Sequence, residues 1–81
     1  MTTHIRVLGP GCYRCQELYE HTTEAVAELG LDADVQKVVD LTEIARRGIL
    51  ATPALVVDDE LVLTGQVPTT KQIEQLLSSL A

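Results

Sequence analysis

Tryptophan and phenylalanine are both missing from the 81 residues, although hydrophobic residues make up 46% of the chain. Whatever core forms must therefore be aliphatic, built from Leu, Val, Ile and Ala. No apolar run approaches the ~20 residues that span a bilayer, and the first eight residues lack the basic and apolar regions of a signal peptide. The chain is expected to be soluble and cytoplasmic, with no membrane partner. Basic residues are scarce: six stand against twelve acidic ones, for a net charge of −6, and they are scattered apart from Arg46-Arg47. A nucleic-acid strand would be repelled by that surface. Length allows one small domain, residues 1–81, burying roughly 60 to 65% of its unfolded surface. No repeat, low-complexity tract or linker divides it.

Hydrophobic spacing orders the elements. Residues 4–8 alternate and are rich in β-branched side chains, which predicts a strand with Ile5 and Val7 on one face and Leu8 on the other. Gly9-Pro10-Gly11 ends it. From Cys12 the period changes: Cys15, Leu18, Thr22, Ala25, Val26 and Leu29 recur at three- and four-residue steps, the stripe of an amphipathic helix, and Gly30 is placed to cap it. Residues 33–39 are a second strand through Val35, Val38 and Val39. Asp40 with Glu43 has capping-box spacing and opens a short helix over Leu41, Ile44 and Ala45 that ends at Gly48. Ala54 to Val57 and Leu61 to Thr64 flank Asp58-Asp59-Glu60 as a tight antiparallel hairpin. Thr69 with Gln72 caps a last helix with Ile73, Leu76, Leu77 and Leu80 on one face. The order is β-α-β-α-β-β-α, an α/β chain whose opening strand, helix and strand predict a right-handed parallel crossover.

The two cysteines, Cys12 and Cys15, are the only ones in the chain, and they sit between a strand and a helix. With Cys12 at the helix start and Cys15 in its first turn, their Cα atoms would lie about 5 to 6 Å apart, within disulfide range. The positive end of the helix dipole, unpaired backbone N–H groups and the Arg14 cation favour thiolate at Cys12, so its pKa is expected below the free value of about 8.5, against the opposing charges of Glu17 and Glu20. Cys15, deeper and more enclosed, is not expected to share that shift. Cys12 thiolate would attack a substrate disulfide, and Cys15 would then attack Cys12 Sγ and release the substrate as a dithiol. A cytosolic thiol pair is in any case more often catalytic or metal-binding than a structural staple.

A strand, Gly9-Pro10-Gly11-Cys12-Tyr13-Arg14-Cys15, a helix, then Thr52-Pro53-Ala54-Leu55 and a hairpin with Gly65 at its exit together resemble the thioredoxin superfamily. More narrowly, the chain is similar over nearly its whole length to the small, glutaredoxin-sized thioredoxin-like redox-active disulfide proteins of bacteria and archaea. The resemblance implies a mixed four-stranded sheet of order 2-1-3-4, with helices one and three on one face and helix two on the other. It implies a thiol-disulfide oxidoreductase with Cys12 as nucleophile and Cys15 as resolving thiol, serving electron transport and cell redox homeostasis. It also implies a cis Pro53 facing the cysteines and a Thr52 backbone that pairs with bound substrate. No cofactor beyond the Cys12–Cys15 disulfide is implied, and an external reductase or thiol reductant must reset the pair. Substrates would be disulfide-bearing proteins or small thiols, and the protein would be a monomer. The chain departs from the family in three ways. Thioredoxin proper has Trp-Cys-Gly-Pro-Cys and glutaredoxin Cys-Pro-Tyr-Cys, whereas Gly11 precedes the pair here and Tyr13-Arg14 fills it. Thioredoxin's first strand and helix are lacking, and no acidic residue matches the buried one beside its cysteines.

Two rival readings use the same residues. A Cu(I) or other soft-metal carrier also places Cys-x-x-Cys between a first strand and first helix, but its fold ends on a strand and carries Met where Pro10 stands here. A non-catalytic thioredoxin-like interaction module is the other, though such modules often lose one cysteine. A structural zinc site would need His4 and His21 beside the cysteines, and both histidines are expected at the surface, so no metal site is assigned. Of the remaining residues, Tyr13 is expected exposed and able to touch substrate. Tyr19 is expected to pack with its hydroxyl outward. Gly11 and Gly65 are expected to meet backbone demands near the site, and Arg46 and Arg47 to be solvated cations at a helix end rather than ligands of glutathione carboxylates.

Overall fold

The alternating apolar pattern of the first strand finds partners on both sides of it, and this sets the whole architecture. The computed structural model describes residues 2–10, 13–49 and 51–80. Its elements are β1 (Thr3–Leu8), α1 (Tyr13–Leu29), β2 (Ala33–Val38), α2 (Leu41–Arg46), β3 (Ala54–Val57), β4 (Glu60–Thr64) and α3 (Thr70–Leu80). The sheet order is β2-β1-β3-β4, with β1 parallel to β2 and the β3–β4 hairpin antiparallel. This is the mixed sheet, order 2-1-3-4, of a thioredoxin-like α/β fold.

Period-two alternation divides the core between the two faces. Ile5, Val7, Leu55 and Val57 pack with Leu18 and Ala25 of α1 and Ile73 and Leu77 of α3. Leu8, Ala54 and Val56 point the other way, against Ile44 and Ile49. Thr22 is buried within the α1 stripe, and its hydroxyl donates to the Leu18 carbonyl at 2.7 Å, so no polar atom is stranded there. Among the described residues no helix is long and apolar enough to cross a membrane.

Local chemistry accounts for the turns. Gly30, at φ +65°, closes α1 with the paired bonds of a Schellman motif, Gly30 N–H to Ala27 O and Leu31 N–H to Val26 O. The hairpin turns through Asp58 and Asp59, both left-handed at φ 49° and 68°, as a two-residue turn of this hand requires. That turn is fastened to β1: His4 N–H donates to Asp58 Oδ1 at 2.8 Å, and Arg6 meets Asp59 at 2.7 Å. At α3, Thr69 N–H donates to Gln72 Oε1 at 2.9 Å while Gln72 N–H donates to Thr69 Oγ1 at 3.2 Å, a reciprocal capping box.

Several details differ from the sequence reading. The last strand starts at Glu60, which pairs with Val57, so the hairpin connection is Asp58 and Asp59 alone. The second strand ends at Val38, because its partner β1 ends at Leu8, and Val39 is left 57% exposed. In α2 only Ile44 is buried of the expected apolar set. Leu41 is 65% exposed and Ala45 is also exposed, and the second apolar contact on this face comes from Ile49, just past Gly48. Asp40 caps α2 by accepting from Thr42 N–H at 2.9 Å, while Glu43 pairs with Arg46 and Arg47 instead of reaching back. The side chain of Leu80 lies outside what the structure describes.

Candidate active site

Pairing register brings three backbone positions together at one end of the sheet. Val38, Leu8, Ala54 and Thr64 form a row across the four strands. One step beyond that row stand Gly9, Pro53 and Gly65. Gly9 N–H donates to Val38 O at 2.9 Å, and Gly65 N–H donates to Pro53 O at 2.7 Å. The strand-like pairing thus continues for one residue past the regular sheet.

Cys15, the third residue of α1, is 5% exposed and lies over this end. A methyl group on Gly9 would overlap Cys15 Sγ, come to 3.0 Å of Cys15 Cβ and reach 3.8 Å of Pro53 Cα. The sulfur therefore rests directly against the Gly9 backbone, and Pro53 Cα borders the space a Gly9 side chain would need. Gly9 has an ordinary φ, so nothing in its local conformation marks it. Its need for a bare Cα comes from a helix residue six positions on, and sequence reasoning passed over it as part of a chain break.

Pro53 is buried, the Thr52–Pro53 peptide is cis, and Thr52 is half-buried beside it. Gly65 is left-handed at φ +68°, and a Cβ there would stand 3.2 Å from Ala51 Cβ, so both its backbone and its surroundings suit glycine. Arg14 Nη2 donates to the Gly65 carbonyl at 3.0 Å, which joins the first turn of α1 to the exit of β4. Tyr13 is 82% exposed. Cys12 and Gly11 lie outside the described residues.

On the side away from Pro53, a pocket of about 200 Å³ opens beside Cys15 between α1 and the ends of β1 and β2, with Val7, Gly9, Gln16, Lys37 and Val39 on its walls. Lys37 Nζ donates to Gln16 Oε1 at 2.7 Å and stands 4.5 Å over the Tyr19 ring, a cation–π contact on a ring that packs against the core as expected. Gln16 and Lys37 were not singled out in the sequence, since both read as ordinary solvated residues there.

The histidines go elsewhere. His21 is half-buried rather than at the surface, with Nδ1 2.8 Å from the Pro68 carbonyl. His4 is exposed, near the opposite end of β1. Among the described residues no group of three or more His, Cys, Asp and Glu side chains is placed to hold a metal ion. Arg46 and Arg47 are engaged by Glu43 at 3.5 and 3.4 Å.

A family model described as a thioredoxin domain matches residues 3–78. Two curated archaeal proteins, each named thioredoxin, are similar across nearly the whole chain. The one from Methanocaldococcus jannaschii is 41% identical over 75 residues, covering 93% of this chain and 86% of the relative. The one from Methanothermobacter thermautotrophicus is 40% identical over 74 residues, covering 91% and 96%.

Proposed function

The chain belongs to the thioredoxin family and is by that membership a thiol-disulfide oxidoreductase, and from this premise we propose that Cys12 is its attacking thiol and Cys15 its resolving thiol. The observation that carries the assignment is the enclosure of Cys15. Cys15 is 5% exposed with its sulfur packed against Gly9, so it is far less open to a bulky substrate disulfide than to a sulfur held on the same chain three residues earlier.

The reaction exchanges sulfur bonds in two steps. Cys12 thiolate attacks one sulfur of the substrate disulfide, forming a mixed disulfide and expelling the other sulfur as thiolate. Cys15, deprotonated, then attacks Cys12 Sγ, forming the Cys12–Cys15 bond and releasing the second substrate thiolate. Two electrons pass from the protein's dithiol to the substrate, and the released thiolates take up protons from water. An external dithiol or reductase returns the pair to the reduced state. Thr52 and Pro53 form the edge on which a substrate backbone lies, and exposed Tyr13 is a further substrate contact. Substrates are disulfide-bearing proteins or small thiols, and the protein works as a monomer in the cytoplasm, where thiol pools keep such pairs reduced.

Cys15→Ser tests the assignment. Incubated with a disulfide substrate, this variant should accumulate a mixed disulfide through Cys12, seen as an intact-mass increase, whereas Cys12→Ser should accumulate much less. Equal trapping by the two variants would overturn the assignment.

A further inference from the structure

Arg14 and His21 lie seven residues apart on α1, close to two full turns, and so project from one face of the helix. Both reach the segment 65–69 that leads from β4 into α3: Arg14 Nη2 donates to the Gly65 carbonyl at 3.0 Å, and His21 Nδ1 stands 2.8 Å from the Pro68 carbonyl. Gly65 is held from its other side by the bond from its N–H to the Pro53 carbonyl at 2.7 Å. One residue, in a backbone conformation that suits glycine, thus couples the helix that carries Cys15 to the Thr52–Pro53 edge. Arg14 is an exposed side chain, and its charge-assisted bond spans 51 positions of sequence.

We propose that Arg14 is a positioning residue of the exchange reaction. By holding Gly65 it fixes the spacing between the first turn of α1 and the Thr52–Pro53 edge, and so favours disulfides carried on an extended peptide over small free disulfides. The inference rests on the oxidoreductase reading above. It separates two roles that a cation in this turn could have. Charge alone acts on the Cys12 thiolate and serves every substrate alike, whereas a tether acts on the groove and matters only to a substrate long enough to lie in it.

The test compares the full-length protein with Arg14→Met, which keeps the side-chain length and loses the donor. Reduction of a disulfide-bridged peptide with several residues on each side of the bridge is measured beside reduction of hydroxyethyl disulfide, both with dithiothreitol as reductant. The expected result is a KM for the peptide raised roughly five- to tenfold, the effect of losing one solvent-exposed hydrogen bond of ordinary strength, with kcat within about twofold. The KM for hydroxyethyl disulfide should move by less than about twofold. Amide hydrogen exchange at Gly65 should quicken while that of Ile5 and Val7 in the core strand does not. Equal losses on the two substrates, with the pH midpoint of Cys12 alkylation moved upward, would make Arg14 a charge-tuning residue and overturn the tether. So would unchanged kinetics on both. Should the unsubstituted protein reduce neither disulfide, the oxidoreductase reading falls and the tether with it.

Discussion

Gly30 and Gly9, at opposite ends of the sheet, are glycine for opposite reasons. At the end where β1 starts, Gly30 turns the chain from α1 into β2 at φ +65°, and nothing lies within 4 Å of where its Cβ would be. At the end where β1 finishes, Gly9 has ordinary backbone geometry but no room, because Cys15 Sγ occupies the space a side chain would fill. The first glycine is needed for its own φ and the second for a neighbour's sulfur. Of these two glycines only Gly9 touches a cysteine, and the comparison separates a turn that merely reverses the chain from a contact that aims a reactive atom.

Gly9→Ala is the strongest way to break that contrast. The added methyl must push Cys15 Sγ aside or shift the start of α1 away from β1, at roughly 1–3 kcal/mol of overpacking, as seen in urea unfolding. It should also slow the resolving step, so that a mixed disulfide through Cys12 accumulates in part, where Cys15→Ser should accumulate it fully. Gly30→Ala is expected to cost about 1 kcal/mol through the left-handed φ alone, with open space around the new methyl and no change in exchange kinetics. If Gly9→Ala loses stability without slowing resolution, the two glycines are equivalent and the contact with Cys15 is only packing.

The same contrast marks what was legible in the sequence. Features set by neighbours along the chain came through: the capping Gly30, a tight hairpin at Asp58 and Asp59, the Thr69 and Gln72 capping box and the separation of Ile5 and Val7 from Leu8 are each written within a few residues, whereas the strand order was legible only through the family resemblance. Val39 and Leu41 were misplaced because hydrophobicity does not say where a strand loses its partner or how little of a six-residue helix touches the sheet. The candidate site was legible in part. Its residue types and order could be read, but Gly9 against Cys15, Arg14 on Gly65 and His21 on Pro68 are contacts between separate elements, the last two 51 and 47 positions apart, and no local period encodes them. Lys37 looked like one of six scattered cations until β2 was set beside α1.

The smallest expected effect lies on the α1–α3 face, away from the cysteine end. Glu74 is 16% exposed, and its Oε2 is buried with no hydrogen-bond donor among the described residues. Its pKa is raised above the ordinary 4.5, first by a hydrogen bond with Glu28, then by burial and by the charge of Glu28, while Lys71 pulls it down. Lys71 Nζ is 3.9 Å from Glu28 and 3.8 Å from Glu74, too far to donate a good hydrogen bond to either. With both carboxylates ionised neither can donate to the other; a single shared proton creates the bond. The native state therefore keeps this proton to higher pH than the unfolded chain does. Between the ordinary carboxylate value and the raised one the folded protein binds more protons, so stability falls as pH rises through that window and the deficit persists above it. Glu74→Gln supplies a permanent donor and no charge. Its urea midpoint should lie slightly above that of the unsubstituted protein at neutral pH, and the difference should close as the pH is lowered through 4.5, with exchange kinetics unchanged throughout. A variant less stable than the unsubstituted protein at neutral pH would mean that the attraction of Lys71 for the two carboxylates outweighs their mutual repulsion, and that this face gains from its charges as the cysteine end does.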